Sequence, residues 1–273
     1  TGSIGFIAPG RRAQFNVAIR TLLVDHAQNT AEYGVGGGIV WDSVCALEQA
    51  ECRTTALILS AGAPAFSLLE SLLWTPADGY ALLEGHLRRL SDSAENFDVP
   101  LDPASVSQRL RALAETFAPA PRKVRLLVAR DGALTLESEP LPGPLDSAPL
   151  PVALARAPVD RGDPFLYHKT TRRSVYAQAL ASRPGFEDVI LFNAAGEVTE
   201  STRANVVAEV GGALCTPPVS CGLLPGTLRA HLLAAGAVTE RVITVDELLS
   251  SPRVFLVNSV RGWMPVQLMR EQA

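Results

Sequence analysis

Apolar and polar positions keep three different rhythms along this chain, and each predicts a different set of elements. In residues 1 to about 56, Phe15-Asn16-Val17-Ala18-Ile19-Arg20-Thr21 alternates and predicts a strand. Gly34-Val35-Gly36-Gly37-Gly38-Ile39-Val40 predicts a glycine loop running into another strand. A linker is expected over residues 57–65, where Ser60-Ala61-Gly62-Ala63-Pro64-Ala65 is built of small residues. In residues 66–150 the period lengthens. Leu87, Leu90, Ala94 and Phe97 share one face of a helix over His86–Phe97, and Val106, Leu110, Leu113 and Phe117 share one face of a second helix opened by Asp102-Pro103. Asp131-Gly132 between Lys123–Ala129 and Ala133–Ser138 predicts a hairpin, and Glu139–Pro144 breaks the pattern as a crossing into the next domain.

Residues 151–273 mix both periods. Strands are predicted at Val152–Ala155, Val189–Phe192 and Val206–Val210, with a Gly211-Gly212 hairpin into Ala213–Thr216. A helix follows Lys169, carrying Val175, Ala179 and Leu180, with Thr170 and Thr171 as candidate caps. A further helix covers about Thr227–Ala235, and Val254–Val257 is the last strand predicted.

Composition narrows the classes without choosing among them. At 273 residues, 47% hydrophobic and 19% charged, the chain can bury a sizeable core. A net charge of −4 gives no reason to expect nucleic acid or an anionic membrane as partner, and no apolar run reaches the roughly 18 residues of a membrane span. Thr1 and the residues after it do not follow a signal-peptide plan, so a cytoplasmic piece of a longer protein is expected. Cys45, Cys52, Cys215 and Cys221 form no CxxC pair, and no bound metal is expected.

Candidate chemistry begins at Lys169, which follows Phe165-Leu166-Tyr167-His168 on an element expected to be partly buried. Desolvation lowers the pKa of a buried lysine, which suits it to imine formation. Glu200, at the end of the strand leaving the Asn193-Ala194-Ala195-Gly196 turn, is a carboxylate that can keep a pyridine nitrogen protonated. Asn205 can hold the loop beyond it by side-chain hydrogen bonds. Leu224-Pro225-Gly226-Thr227-Leu228 places glycine before a helix, where free backbone N–H groups and the helix dipole favour a phosphate. Arg89 suits phosphate geometry, Ser259 after the last strand can add a hydroxyl, and Arg130 in the hairpin is a candidate for a substrate carboxylate.

In this order the motifs resemble the fold-type IV pyridoxal phosphate enzymes, a group that includes branched-chain and D-amino acid aminotransferases and 4-amino-4-deoxychorismate lyases. The resemblance rests on His86-Leu87-Arg88-Arg89-Leu90 with Ser93-Ala94, Lys169, Gly196-x-Val198-x-Glu200 with Asn205, and Leu224-Pro225-Gly226-x-x-Arg229. It implies a two-domain α/β (α+β) fold, a homodimer, and pyridoxal 5'-phosphate as an imine on Lys169. Glu200 would face the pyridine nitrogen, and Arg89, the Gly226 junction with the Thr227 and Leu228 amides, and Ser259 would hold the phosphate. The chain departs from the family pattern at Ser201, where transaminases favour glycine, at Val207, where an aromatic is usual, and at Thr227, which replaces an aliphatic.

The first region resembles a different family. Ile19-Arg20-Thr21, Gly36-x-Gly38-Ile39-Val40-x-Asp42-Ser43 and Glu48-x-x-Glu51 are similar to the C-terminal end of chorismate-utilising enzymes, specifically aminodeoxychorismate synthase component I. In that family the arginine and glycine loop contact chorismate and the glutamate pair serves magnesium, so Arg20, Gly38, Glu48 and Glu51 would be the remnant of that site. Most of the synthase domain is expected upstream of Thr1, with a glutamine amidotransferase subunit as its partner, and no synthase activity is expected from residues 1–56 alone. Together the two resemblances imply a lyase that converts 4-amino-4-deoxychorismate to 4-aminobenzoate and pyruvate, fused to the synthase that makes its substrate. The alternatives are an aminotransferase on the same fold and an inactive module that stabilises the synthase.

Overall fold

The computed structural model describes residues 2–60, 65–141 and 148–269, and these divide into two compact units meeting at Pro64/Ala65. Residues 61–64 of the expected linker and 142–144 of the expected crossing lie outside the described residues.

The first unit holds two antiparallel hairpins and a helix. Strands β1 (Ser3–Ala8) and β2 (Arg12–Val17) pair with each other, as do β3 (Leu22–Asp25) and β4 (Thr30–Tyr33). The strand expected to reach Thr21 stops at Val17, because Arg20 turns the chain with a positive φ of 50°. Val35–Val40 forms no strand, and Cys45–Ser60 is a helix, α1, that runs past the expected boundary at residue 56. Its sequence has almost no apolar stripe: Leu47, Leu57, Ile58 and Leu59 are all exposed within this unit. Periodicity therefore gave no sign of it.

The second unit contains two sheets. Strands β5 (Leu68–Thr75), β6 (Gly79–Tyr80), β7 (Arg122–Val128) and β8 (Leu134–Pro140) form a four-stranded sheet in the order β6-β5-β7-β8. Helices α2 (Leu83–Asn96) and α3 (Pro103–Ala114) share a core with it around Leu68, Leu72, Leu90, Leu110 and Leu126. Asp102 caps α3 by accepting from the Ala104 N–H at 3.0 Å, and Gly132, at φ 84°, makes the turn between β7 and β8.

The remaining chain builds an eight-stranded sheet. Its elements are β9 (Leu150–Leu154), α4 (Ser174–Ala181), β10 (Asp188–Phe192), β11 (Val198–Ser201), β12 (Asn205–Val210), β13 (Ala213–Thr216), α5 (Thr227–Ala234), β14 (Thr239–Glu240), α6 (Val245–Ser250), β15 (Val254–Asn258) and β16 (Gly262–Leu268). Strand order is β11-β10-β9-β16-β15-β12-β13-β14, and a second pairing of β11 with β12 closes the sheet on itself. That closure is the single register pair Glu200↔Asn205. β16 lies beyond the last strand expected from sequence, and it joins β9 in parallel while pairing β15 antiparallel. Among the described residues no helix is long and apolar enough to cross a membrane.

Candidate active site

Within the second unit the two sheets flank a cavity of about 660 Å³, and most of the residues singled out from sequence line it. Lys169, Glu200, Asn205, Gly226, Thr227, Leu228, Ser259 and Arg89 all contribute to its wall. Arg130 does not; its guanidinium lies 5.4 Å from the centroid of the Phe66 ring, outside the cavity. The cations on the wall in its stead are Lys123, Arg125, Arg173, Arg203 and Arg261.

Lys169 sits on an extended segment and not at a helix start. The Leu69 N–H donates to its carbonyl at 2.9 Å, Thr170 bridges to Leu68, and the Thr171 N–H donates to the Ser67 carbonyl at 2.9 Å. Helix α4 begins only at Ser174, with Arg173 at its N-cap and no side-chain cap, so Thr170 and Thr171 fasten the lysine segment to β5 and cap nothing. Just before it, Phe165 and His168 pack with Phe66 and Phe97, which anchors the approach to the lysine. Burial and the nearby Arg89 guanidinium pull the Lys169 amine down to about 8, against the opposing pull of Glu70 and Glu200. Such an amine is readily available in its neutral, nucleophilic form.

Glu200 is only 4% exposed. Its Oε1 accepts from the Tyr176 hydroxyl at 2.7 Å and from the Leu224 N–H at 3.1 Å. Burial lifts its pKa to about 7 despite those bonds and the charges of Lys169 and Arg173. Two buried residues not singled out from sequence fix its surroundings. Tyr176 comes from α4, and its own hydroxyl is pushed up by burial and by Glu200. Asp188, at the start of β10, accepts from the Thr202 N–H at 2.9 Å and from the Ser201 and Thr202 hydroxyls at 3.0 and 2.6 Å, which pins the turn between Glu200 and Asn205.

Beyond that turn, Asn205 Nδ2 donates to the Leu224 carbonyl at 2.9 Å. Gly226 is held against it so tightly that a Cβ there would lie 1.9 Å from Asn205 Oδ1. Gly226 is the N-cap of α5 with no side-chain cap, and the first helical bond runs from Ala230 N–H to its carbonyl. Among the described residues no hydrogen bond uses the N–H groups of Thr227 or Leu228, which leaves them to an anion.

The opposite side of this anion end belongs to α2. His86, Arg89, Leu90, Ser93 and Ala94 form its buried stripe, a helical period in which two positions carry ionisable groups. Arg88 is exposed, whereas Arg89 is buried and lines the cavity. Arg89 donates through Nε at 2.8 Å and Nη2 at 2.6 Å to the two oxygens of Glu70 and through Nη1 at 3.3 Å to the Pro225 carbonyl. Burial raises the Glu70 carboxyl, but the Arg89 charge and the bonds from His86 and Arg89 outweigh it and hold the group at about 2. Ser259, in the turn between β15 and β16, reaches the Ser71 carbonyl at 3.5 Å.

An amine shifted toward neutrality, a buried acid and an uncapped helix start beside arginine form a donor set that fits pyridoxal phosphate. In the first unit, Glu48 and Glu51 lie one turn apart on α1; Glu48 Oε1 accepts from Ser43 Oγ at 2.7 Å, and Arg20 and Gly38 are exposed, outside the strands and the helix.

Two known families match the chain: amino-transferase class IV over residues 67–269 and chorismate binding enzyme over residues 1–60. A Schizosaccharomyces pombe protein named "Putative aminodeoxychorismate lyase" is 31% identical over 189 residues, covering 66% of this chain and 80% of its own. The structure titled "Putative amino-acid aminotransferase", from Mesorhizobium loti, aligns with a TM-score of 0.70 at 35% identity, covering 75% of this chain and 100% of that one. The PLP-bound form of a hypothetical aminotransferase from Mycobacterium tuberculosis aligns with a TM-score of 0.63 at 28% identity, covering 74% of this chain and 81% of that one.

Proposed function

The chain belongs to the class IV aminotransferase family and binds pyridoxal phosphate, and on that footing we propose that it is a lyase converting 4-amino-4-deoxychorismate to 4-aminobenzoate and pyruvate. The observation that carries this reading is the placement of a chorismate-binding match at residues 1–60 directly before the class IV match at 67–269. A chain that joins these two families fits a protein that makes an aminated chorismate and then consumes it. The relationship to the fission-yeast protein supports the same choice.

The bound cofactor supplies an aldehyde for the substrate amine and a ring that accepts electrons. The residues of this chain supply proton transfer and orientation. Arg89 and the Thr227 and Leu228 amides hold the phosphate end. Glu200, fixed by Tyr176 and Leu224, would be the carboxyl that keeps the pyridine nitrogen protonated. Lys169 removes the proton from the amine-bearing ring carbon, a task suited to an amine with pKa about 8. The electron pair left by that proton would expel the adjacent enolpyruvyl oxygen and make the ring aromatic, and the departing enolate would take up a proton at its methylene carbon to become pyruvate. Elimination of this kind consumes no keto-acid acceptor. A fused synthase domain with its amidotransferase partner, and assembly as a homodimer, belong to the same proposal.

A second reading, amino transfer, is favoured by the aminotransferase name of the Mesorhizobium structure. Incubation with enzymatically prepared aminodeoxychorismate separates the two. The lyase reading expects 4-aminobenzoate and pyruvate in equal amounts without 2-oxoglutarate. Turnover of branched-chain or D-amino acids that depends on 2-oxoglutarate, with no 4-aminobenzoate formed, would replace it by the transaminase reading.

A further inference from the structure

We infer that Glu70 is a positioning residue for the phosphate end of the cavity, acting through Arg89 and His86 on the start of α5. It sits on β5, 2% exposed, on the face that Leu68 and Leu72 turn to the core. A buried carboxylate needs partners, and this one ties together three elements. Arg89 grips it side-on through Nε and Nη2, and His86 Nδ1 lies 2.7 Å from Oε2. From there both partners reach α5: Arg89 Nη1 to the Pro225 carbonyl, and His86 Nε2 to the Thr227 hydroxyl at 3.3 Å.

The chemistry of the donors gives this arrangement a direction. An ionised Glu70 can only accept, so His86 must present its proton at Nδ1. In the neutral ring Nε2 is then an acceptor, and the Thr227 hydroxyl points its proton back at His86. Arg89 has five N–H donors, three of which go to Glu70 and Pro225, leaving two for the cavity it lines. Those two share the anion end with the Thr227 and Leu228 amides.

Glu70 also offsets the charge of Arg89, so two effects of opposite sign meet at this residue. If charge governed, losing the carboxylate would strengthen anion binding. If placement governs, losing it weakens anion binding, because a glutamine amide keeps one acceptor oxygen and sets its NH₂ either against Arg89 Nε or against Arg89 Nη2 and His86 Nδ1. The structure favours placement, since Arg89 and His86, which hold the Glu70 carboxylate, both also reach the α5 junction.

The inference rests on the cofactor and is independent of whether elimination or amino transfer follows. Its test compares binding of pyridoxal phosphate and of pyridoxal, which lacks the phosphate, to the full chain carrying Glu70→Gln or Glu70→Asp. Aspartate keeps the charge but withdraws it by one methylene. Both variants should weaken pyridoxal phosphate by roughly tenfold or more while changing pyridoxal by less than about threefold, and inorganic phosphate should compete less well. Tighter binding of pyridoxal phosphate by Glu70→Gln would show that the carboxylate only subtracts charge. Equal loss for both ligands would show a merely structural role. Should both variants fail to fold, nitrogen NMR of histidine-labelled wild-type protein decides: a proton on His86 Nδ1 with phosphate present sustains the inference, and a proton on Nε2 alone overturns it.

Discussion

Replacing Gly226 by alanine should destabilise the protein, although its backbone angles argue for the opposite. At φ −64° and ψ 142° alanine is unstrained, and the substitution would ordinarily add about 0.4–1 kcal/mol by restricting the unfolded chain. The new Cβ, however, would stand 1.9 Å from Asn205 Oδ1 and 3.1 Å from Asn205 Cγ. Asn205 is 5% exposed, and its amide is committed to the Leu224 carbonyl at 2.9 Å. Either the side chain rotates and leaves a buried amide unsatisfied, at about 1–3 kcal/mol, or α5 backs away from β12 at a similar cost for overpacking. The balance is a loss of about 1–2 kcal/mol, or roughly 2–8 °C in the melting midpoint of a chain this long. Thermal unfolding followed by tryptophan fluorescence, with and without pyridoxal phosphate, measures it. The double variant Asn205→Ala/Gly226→Ala should recover part of the loss relative to Asn205→Ala alone, since the clash is then gone. A Gly226→Ala protein that melts at or above wild type would refute the reasoning.

Four other outcomes follow from the same site. Borohydride reduction of the holoprotein should fix the cofactor to Lys169, and peptide mapping that finds another lysine would remove it from its role. The Lys169 amine sits at about 8 when folded against 10.5, so in the apoprotein it penalises the fold fully below pH 8 and ceases to do so as pH rises to 10.5; Lys169→Met should abolish that rise in melting temperature. Glu200 has the opposite sign: the fold keeps a proton up to about pH 7 that the unfolded chain releases near 4.5, so its contribution falls as pH rises through that window. Glu200→Gln apoprotein should therefore melt above wild type at pH 8 and close to it at pH 4.5. Arg89→Ala should weaken pyridoxal phosphate by about 1.5–3 kcal/mol, measured by equilibrium dialysis, whereas the exposed Arg88→Ala should not.

Sequence carried the second unit further than the first, for physical reasons. Helices α2 and α3, the β7–β8 hairpin and strands β10 and β12 bury one face or both, so their apolar spacing names them. Lys169, Glu200, Gly226 and Arg89 were legible because an amine, an acid and a glycine before a helix each have a chemistry that ordinary surface positions do not need in that order. What stayed hidden was relational. Glu70 looks like a polar slip within Leu68-Leu69-Glu70-Ser71-Leu72, and His86 like a residue near a helix start, until the fold brings them to Arg89 and Thr227. Tyr176 and Asp188 likewise gain their meaning only across the Glu200 turn. The placement of Arg130 failed because a hairpin turn shows no direction in sequence. Helix α1 was missed because most of its residues are exposed in this unit, which leaves no stripe to read.

The contacts that draw the cavity together are among the longest in the chain. Ser67 and Thr171 are 104 residues apart, Arg89 and Pro225 136, His86 and Thr227 141, and Ser71 and Ser259 188. Closing loops of that length is entropically costly, and such contacts reward the chain only once both sheets already exist. During refolding the helices and hairpins can return early from local contacts, while the pocket waits for the lysine segment to dock on β5 and for α5 to meet α2. Cofactor uptake is therefore a late clock in the assembly of this protein, and it marks the arrival of the native state more faithfully than the recovery of secondary structure does.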